Sequence, residues 1–138
     1  ALDSAQPGQA RRYDPSGDRE PLERRLLAAS LGRAASRNEL VLRLRPLTRA
    51  GQRQPLGAEA LLYWQHPELG LIPPARLWPV ARELEIEHAL RDWLLAAACH
   101  AAASWPGGEL PVLVVLSPAQ CTHERLPERI AELLQQSG

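Results

Sequence analysis

Two runs of alternating side chains joined by a short link constrain this chain more than anything else in it. Over Glu39–Arg45, the residues Leu40, Leu42 and Leu44 alternate with Val41, Arg43 and Arg45, and Pro46 is expected to close the run. Over Leu56–Trp64, the residues Leu56, Ala58, Ala60, Leu62 and Trp64 fall on one side, and Gly57, Glu59, Leu61 and Tyr63 on the other. Side chains alternate across a strand with period two, so each run reads as a strand. The link Thr48–Pro55, with Gly51 near its middle, is too short for a parallel crossover, so the two runs form an antiparallel hairpin. One face of that hairpin is apolar and has to be buried; the other carries charge.

Helical periodicity surrounds the hairpin. A helix is expected from an N-cap at Asp18 to about Ser36, with Leu22, Leu26, Leu27, Leu31, Ala34 and Ala35 as its stripe. Gln65–Pro74, with three prolines and a glycine, reads as a loop. Ala75–Glu85 reads as a helix in which Pro79 marks a kink or the first turn. A stronger helix covers Glu87–Ser104, striped by Leu90, Leu94, Ala97, Ala98 and Ala101 and stopped by Trp105–Gly108. Leu110–Leu116 is a continuous apolar run, the mark of a strand buried on both faces. Leu126–Gln136 closes the series as a helix. A buried strand between helices implies an α/β architecture with at least one parallel pairing, here on a thin sheet of three strands.

Composition narrows the function classes. The 138 residues suit one domain, with residues 1–18 as a polar linker or tail and 19–138 as the folded unit. Sixteen basic residues, all arginine, balance sixteen acids, which argues against a binder of nucleic-acid polymers. The balance is uneven along the chain: eleven arginines face six acids in residues 1–54, and five face ten in residues 55–138. Such polarity can steer self-association or a partner. No apolar run approaches the roughly 18 residues of a membrane helix, and no secretory signal is visible. Cys99 and Cys121 form no CxxC motif and read as reduced thiols. The expected compartment is the cytoplasm.

Glu59 is the residue that asks for an explanation. A carboxylate inside an apolar strand needs a cation, a metal or a proton. The turn near Gly51 brings Arg43 or Arg45 roughly opposite it, so a cross-strand ion pair is the favoured reading. The four histidines, His66, His88, His100 and His123, share no metal-ligand spacing and default to surface or capping roles. Ser117 has no GxSxG elbow around it, and the chain has neither GxGxxG nor a P-loop.

The stretch Gly57-Ala-Glu-Ala-Leu-Leu-Tyr-Trp-Gln-His-Pro-Glu-Leu-Gly-Leu-Ile-Pro-Pro74 resembles the signature of EAL domains, the cyclic di-GMP phosphodiesterases of bacterial signalling, with Glu59-Ala60-Leu61 as the naming triplet. Leu44–Leu47 resembles the family's first-strand Tyr-Gln-Pro-Ile, Pro74–Ile86 the segment after the signature, and Trp93–Trp105 the family helix. Val112–Gln120 is similar to the strand that usually reads Val-Ala-Val-Asn-Leu-Ser-Ala-Arg-Gln. Ala10–Pro15 resembles the end of a GGDEF domain. The resemblance implies the N-terminal half of a modified β/α (TIM) barrel whose first strand is antiparallel to its neighbour. In that family two divalent cations, Mg²⁺ or Mn²⁺, activate a water at the carboxyl ends of the strands.

The departures from that pattern shape the functional expectation. By the resemblance, Glu59 keeps a metal-ligand position, but Val115 stands where the family has a metal-binding Asn, and valine offers a hard cation nothing. Tyr63 replaces an Arg that grips a substrate phosphate, and Arg45 replaces a substrate-contacting Gln. The later acidic motifs and the Lys of the family are not found before Gly138. The expectation is therefore a catalytically inactive, degenerate module with no catalytic residue and no cofactor. Glu59 is then a vestigial metal ligand, and Arg45, Glu59, Leu61 and Tyr63 line whatever ligand site survives. Its role would be regulatory or protein-interacting, as a homo-oligomer or with another signalling protein, with cyclic di-GMP as a weak ligand. The alternative is a fragment of an active phosphodiesterase that would require Mg²⁺ or Mn²⁺.

Overall fold

A computed structural model describes residues 15–107 and 109–138. The tail expected over residues 1–18, and the GGDEF-like Ala10–Pro15, lie mostly outside them. The chain forms α1 (Pro15–Leu31), β1 (Leu40–Thr48), β2 (Pro55–His66), β3 (Gly70–Ile72), α2 (Pro74–Glu83), α3 (Glu87–Ala103), β4 (Val112–Leu113), α4 (Pro118–Cys121) and α5 (Leu126–Ser137). The expected α/β class holds, and four strands replace the expected three.

The hairpin is as the alternation requires. β1 and β2 pair antiparallel with Leu40 opposite Trp64, Leu42 opposite Leu62, Leu44 opposite Ala60 and Arg45 opposite Glu59. β1 does not stop at Pro46; it runs on to Thr48, with Pro46 opposite Ala58. β1 lies at the edge of the sheet, where a missing N–H is tolerated. Gly51, at φ +81°, supplies the left-handed residue of the link.

β2 is the central strand, and its far edge is shared. Near its carboxyl end β3 pairs antiparallel, Trp64 with Ile72 and His66 with Gly70. Near its start β4 pairs parallel, Ala58 with Val112 and Glu59 with Leu113. The parallel pairing follows a crossover through α2 and α3, as it must. The expected loop over Gln65–Pro74 is thus corrected to a second, tighter hairpin whose turn ends on Gly70 at φ +73°.

The apolar face of the sheet packs on the helices. Leu40, Ala60, Leu62, Trp64 and Ile72 meet Leu27 and Leu31 of α1, Leu77, Val80 and Ala81 of α2, and Leu90, Leu94 and Ala98 of α3, all buried. A smaller cluster of Leu95, Cys99 and Leu133 ties α3 to α5. Three further expectations need correction. α1 starts at Pro15 and ends at Leu31, short of Ser36, where Gly32 opens a turn that closes with Asn38 at φ 56°. Leu22 and Leu26 of its expected stripe are exposed. The Leu110–Leu116 run is a two-residue strand with one covered face: Val112 and Val114 pack on the core, whereas Leu113 and Val115 are more than half exposed.

Candidate functional site on the open face of the sheet

The residues that do not face the helices gather on the opposite side of the sheet. Alternation along β1 and β2 puts Arg43, Arg45, Glu59, Leu61 and Tyr63 there together. The parallel register sets Leu113 beside Glu59 on that side, and Val115 follows two residues on. All four expected ligand-lining residues, Arg45, Glu59, Leu61 and Tyr63, thus share one surface.

Its electrostatics are those of two cationic contacts. Arg45 donates from both Nε (3.0 Å) and Nη2 to a single oxygen of Glu59. The Glu59 side chain is only 14% exposed and that of Arg45 is 63% exposed, so the guanidinium caps a half-buried carboxylate from the solvent side. The expected cross-strand ion pair is present, and Arg45, not Arg43, makes it. Arg43 instead lies 5.0 Å over the ring of Tyr63, a cation–π contact. With one partner exposed, the ion pair is worth no more than about 1 kcal/mol.

The end of β4 is held by a residue the sequence reading passed over. Arg91 of α3 donates from Nη1 to the carbonyl of Val115 at 3.1 Å, while its guanidinium lies 4.3 Å over Trp78 and pairs with Glu87. The available signal was the Glu87–Arg91 spacing of four on one helix. Ser117, dismissed as a nucleophile, caps α4: its Oγ accepts from the Gln120 N–H, and the Gln120 side chain accepts from the Ser117 N–H.

His66 is the one buried histidine. Its Nδ1 accepts from the N–H groups of Glu68 and Leu69, both at 3.1 Å, which fixes the turn between β2 and β3. With Nδ1 so engaged, the neutral ring carries its proton on Nε2, 3.2 Å from Ser30 Oγ. Elsewhere, a cleft of about 320 Å³ between α3, α4 and α5 is lined by His88, Asp92, Gln120, His123 and Arg129 among others. None of the open-face residues lines it. Inside it Arg129 grips Asp92 with two hydrogen bonds, 3.0 and 2.9 Å, and holds that carboxyl below its usual range.

The described residues of the open face do not by themselves supply the donor set of a divalent cation. Mg²⁺ and Mn²⁺ want several oxygen donors in a near-octahedral arrangement. Among the described residues paired across this face Glu59 is the one carboxylate, its Oε2 is taken by Arg45, and its neighbours Leu61, Leu113 and Val115 have no side-chain oxygen. Among the described residues no three His, Cys, Asp or Glu side chains are grouped to hold a metal.

An antiparallel first strand, a central strand carrying Glu59-Ala60-Leu61 and a parallel strand reached through helices define a partial β/α barrel. Residues 28–138 match the EAL domain family, and the chain belongs to it. It is 42% identical over 84% of its length to an uncharacterized signaling protein of Caulobacter vibrioides. It is 30% identical over 88% of its length to MucR, a bifunctional diguanylate cyclase/cyclic di-GMP phosphodiesterase of Pseudomonas aeruginosa. The chain spans 14% and 18% of those two proteins. In structure it resembles a MucR phosphodiesterase in complex with c-di-GMP, with a TM-score of 0.74 and 30% identity over 81% of this chain and 47% of that one. The FimX EAL domain of P. aeruginosa, at 21% identity and a TM-score of 0.65 over 80% of this chain and 45% of that one, shares the fold.

Proposed function

We propose that this chain is a catalytically inactive, degenerate EAL module with a regulatory or protein-interaction role in bacterial cyclic di-GMP signalling. The observation that carries this reading is the donor set of the open face. A two-metal phosphodiesterase needs several carboxylate and amide oxygens converging on two cations. Here one carboxylate faces a guanidinium, and the adjacent strand presents Leu113 and Val115. By the resemblance Val115 stands where the family has a metal-binding Asn, and a valine side chain has no donor for a cation.

The relatives support the signalling context: MucR is named for cyclic di-GMP synthesis and hydrolysis, and a FimX EAL domain is described bound to c-di-GMP. Self-association or binding to another signalling protein is the role proposed for this chain. The retained Glu59 favours the second reading, part of an active phosphodiesterase.

The deciding experiment incubates the purified chain with cyclic di-GMP in Mg²⁺ and in Mn²⁺ and follows the linear dinucleotide by chromatography. No product above a protein-free control is expected. Turnover that disappears in Glu59→Gln would establish the enzyme reading instead.

A further inference from the structure

We propose that His66 is an acid-sensitive latch: as a neutral ring it closes the turn between β2 and β3 and holds α1 on the sheet, and a second proton on that ring opens both. The inference concerns α1, β2 and β3 alone and is independent of whether the chain hydrolyses a dinucleotide.

Every hydrogen around the ring has one place. Nδ1 lies 3.1 Å from the backbone nitrogens of both Glu68 and Leu69, whose hydrogens point to it, so Nδ1 accepts and carries none of its own. The ring hydrogen is then on Nε2, 3.2 Å from Ser30 Oγ. Ser30 gives its own hydrogen to the carbonyl of Leu26, which leaves the hydroxyl oxygen free to accept. The bonds thus run in one direction, from the turn through the imidazole to α1. Among the described residues Ser30–His66 is also the hydrogen bond that joins α1 to the sheet; the other side-chain bonds of α1, from Arg24 and to Glu23, reach α2.

A second proton has only Nδ1 to go to. There it meets two N–H donors, and both lose their acceptor. Turning the ring over about Cβ–Cγ brings a carbon to the same place and restores neither bond. His66 is 5% exposed, so water replaces what is lost only when the turn opens.

Among the described residues no carboxylate pairs with the ring to favour its charged form. Ser30 is the contact from α1, Trp64 of β2 stands nearly perpendicular with its ring centroid 4.9 Å away, and Gly70 is the β3 residue opposite. The Glu68 side chain, in the turn itself, is exposed. Glu39, just before β1, accepts from Trp64 Nε1 and lies beside Arg37. On α1 and α2, Arg24 pairs with Glu83 and Glu23 with Arg76. Protons therefore bind the opened form in preference to the latched one. The latch weakens as pH falls through the range in which imidazoles take up a proton, roughly pH 8 to 5.

The test is amide hydrogen exchange by NMR on the 138-residue chain at about pH 7.5 and about pH 5.5, corrected for the intrinsic rate at each pH. The amides of Glu68 and Leu69 are expected to lose about tenfold or more of their protection at the lower pH, the size of two net hydrogen bonds. His66→Asn places an amide oxygen near the position of Nδ1 and has no site for a proton, so its protection at the two pH values agrees within about twofold. Ser30→Ala keeps the acid response of the turn and lowers protection in the last turn of α1 at both pH values. Imidazole nitrogen shifts at neutral pH read the tautomer, with Nδ1 bare and Nε2 protonated.

Equal protection of Glu68 and Leu69 at the two pH values would overturn the proposal, as would a proton on Nδ1 at neutral pH. An acid response that persists in full in His66→Asn also overturns it, because a group other than His66 then carries the signal. Where circular dichroism shows that His66→Asn fails to fold, the tautomer and the exchange of the unchanged chain decide.

Discussion

The two faces of the β1–β2 hairpin are built from neighbouring residues of the same strands, yet they obey different rules. On one face Ala60, Leu62 and Trp64 are all no more than 3% exposed and lie in one cluster with three helices. On the other, Glu59, Leu61 and Tyr63 alternate with them in partial contact with solvent, beside Arg43 and Arg45. A one-residue slip would exchange the two sets, so burial of the first face holds the register of the second. Positions 45 and 63 of the open face can therefore change their chemistry without endangering the fold.

The largest effect should come from the covered face. Trp64 is fully buried, and its Nε1–H donates to Glu39 at 2.9 Å. Trp64→Ala is expected to cost about 3–5 kcal/mol in urea unfolding, from lost burial and the cavity left behind. A change below about 1 kcal/mol would break the distinction between the faces. Next comes a place where the open face is not tolerant. A Cβ on Gly57 would lie 2.7 Å from the carbonyl oxygen of Pro111, which also accepts the Ala58 N–H that joins β2 to the start of β4. Gly57→Ala should cost about 1–3 kcal/mol, with increased hydrogen exchange at Ala58.

A smaller effect tests the α3–α5 side. The Asp92 carboxyl is depressed chiefly by its hydrogen bonds from Arg129. A carboxyl lowered in the folded state stabilises above its unfolded value near 3.8 and loses that contribution as pH falls through the folded value below it. Asp92→Asn should therefore reduce stability by no more than about 1 kcal/mol at neutral pH, because the pair is partly exposed, and by progressively less as pH falls below the unfolded value. An equal loss at neutral and acidic pH would show that the pair acts by packing. The smallest effect belongs just past the end of β4: Val115→Ser should move stability by no more than about 0.5 kcal/mol, since the residue is 56% exposed. A large loss there would mean the valine is covered in the folded chain.

Much of this was legible before any coordinates. The Leu40–Arg45 and Leu56–Trp64 alternation specified the hairpin, its buried face and an arginine, Arg43 or Arg45, near Glu59, because period-two patterning and a short link favour the register that puts Leu40, Leu42, Leu44, Ala60, Leu62 and Trp64 on one face. β3 was not legible, because three residues among prolines and glycines carry no periodicity; they become a strand only when His66 caps the preceding turn from inside the core. The extent of β4 was overstated for the opposite reason. A run of Leu and Val signals a strand covered twice, but coverage is supplied by neighbours, and here only Val112 and Val114 have them.

Local chemistry was therefore decided by the sequence: which residues alternate, which side of the hairpin is charged, and that Glu59 requires a counterion. Tertiary structure alone decided that the counterion is Arg45 while Arg43 turns to Tyr63, that Arg91 reaches from α3 to hold the end of β4, and that His66 is buried at a turn. The physical reason is reach. Periodicity reports on neighbours a few residues apart, whereas these contacts join side chains whose separation in space is set by how helices and strands pack, which no local pattern encodes.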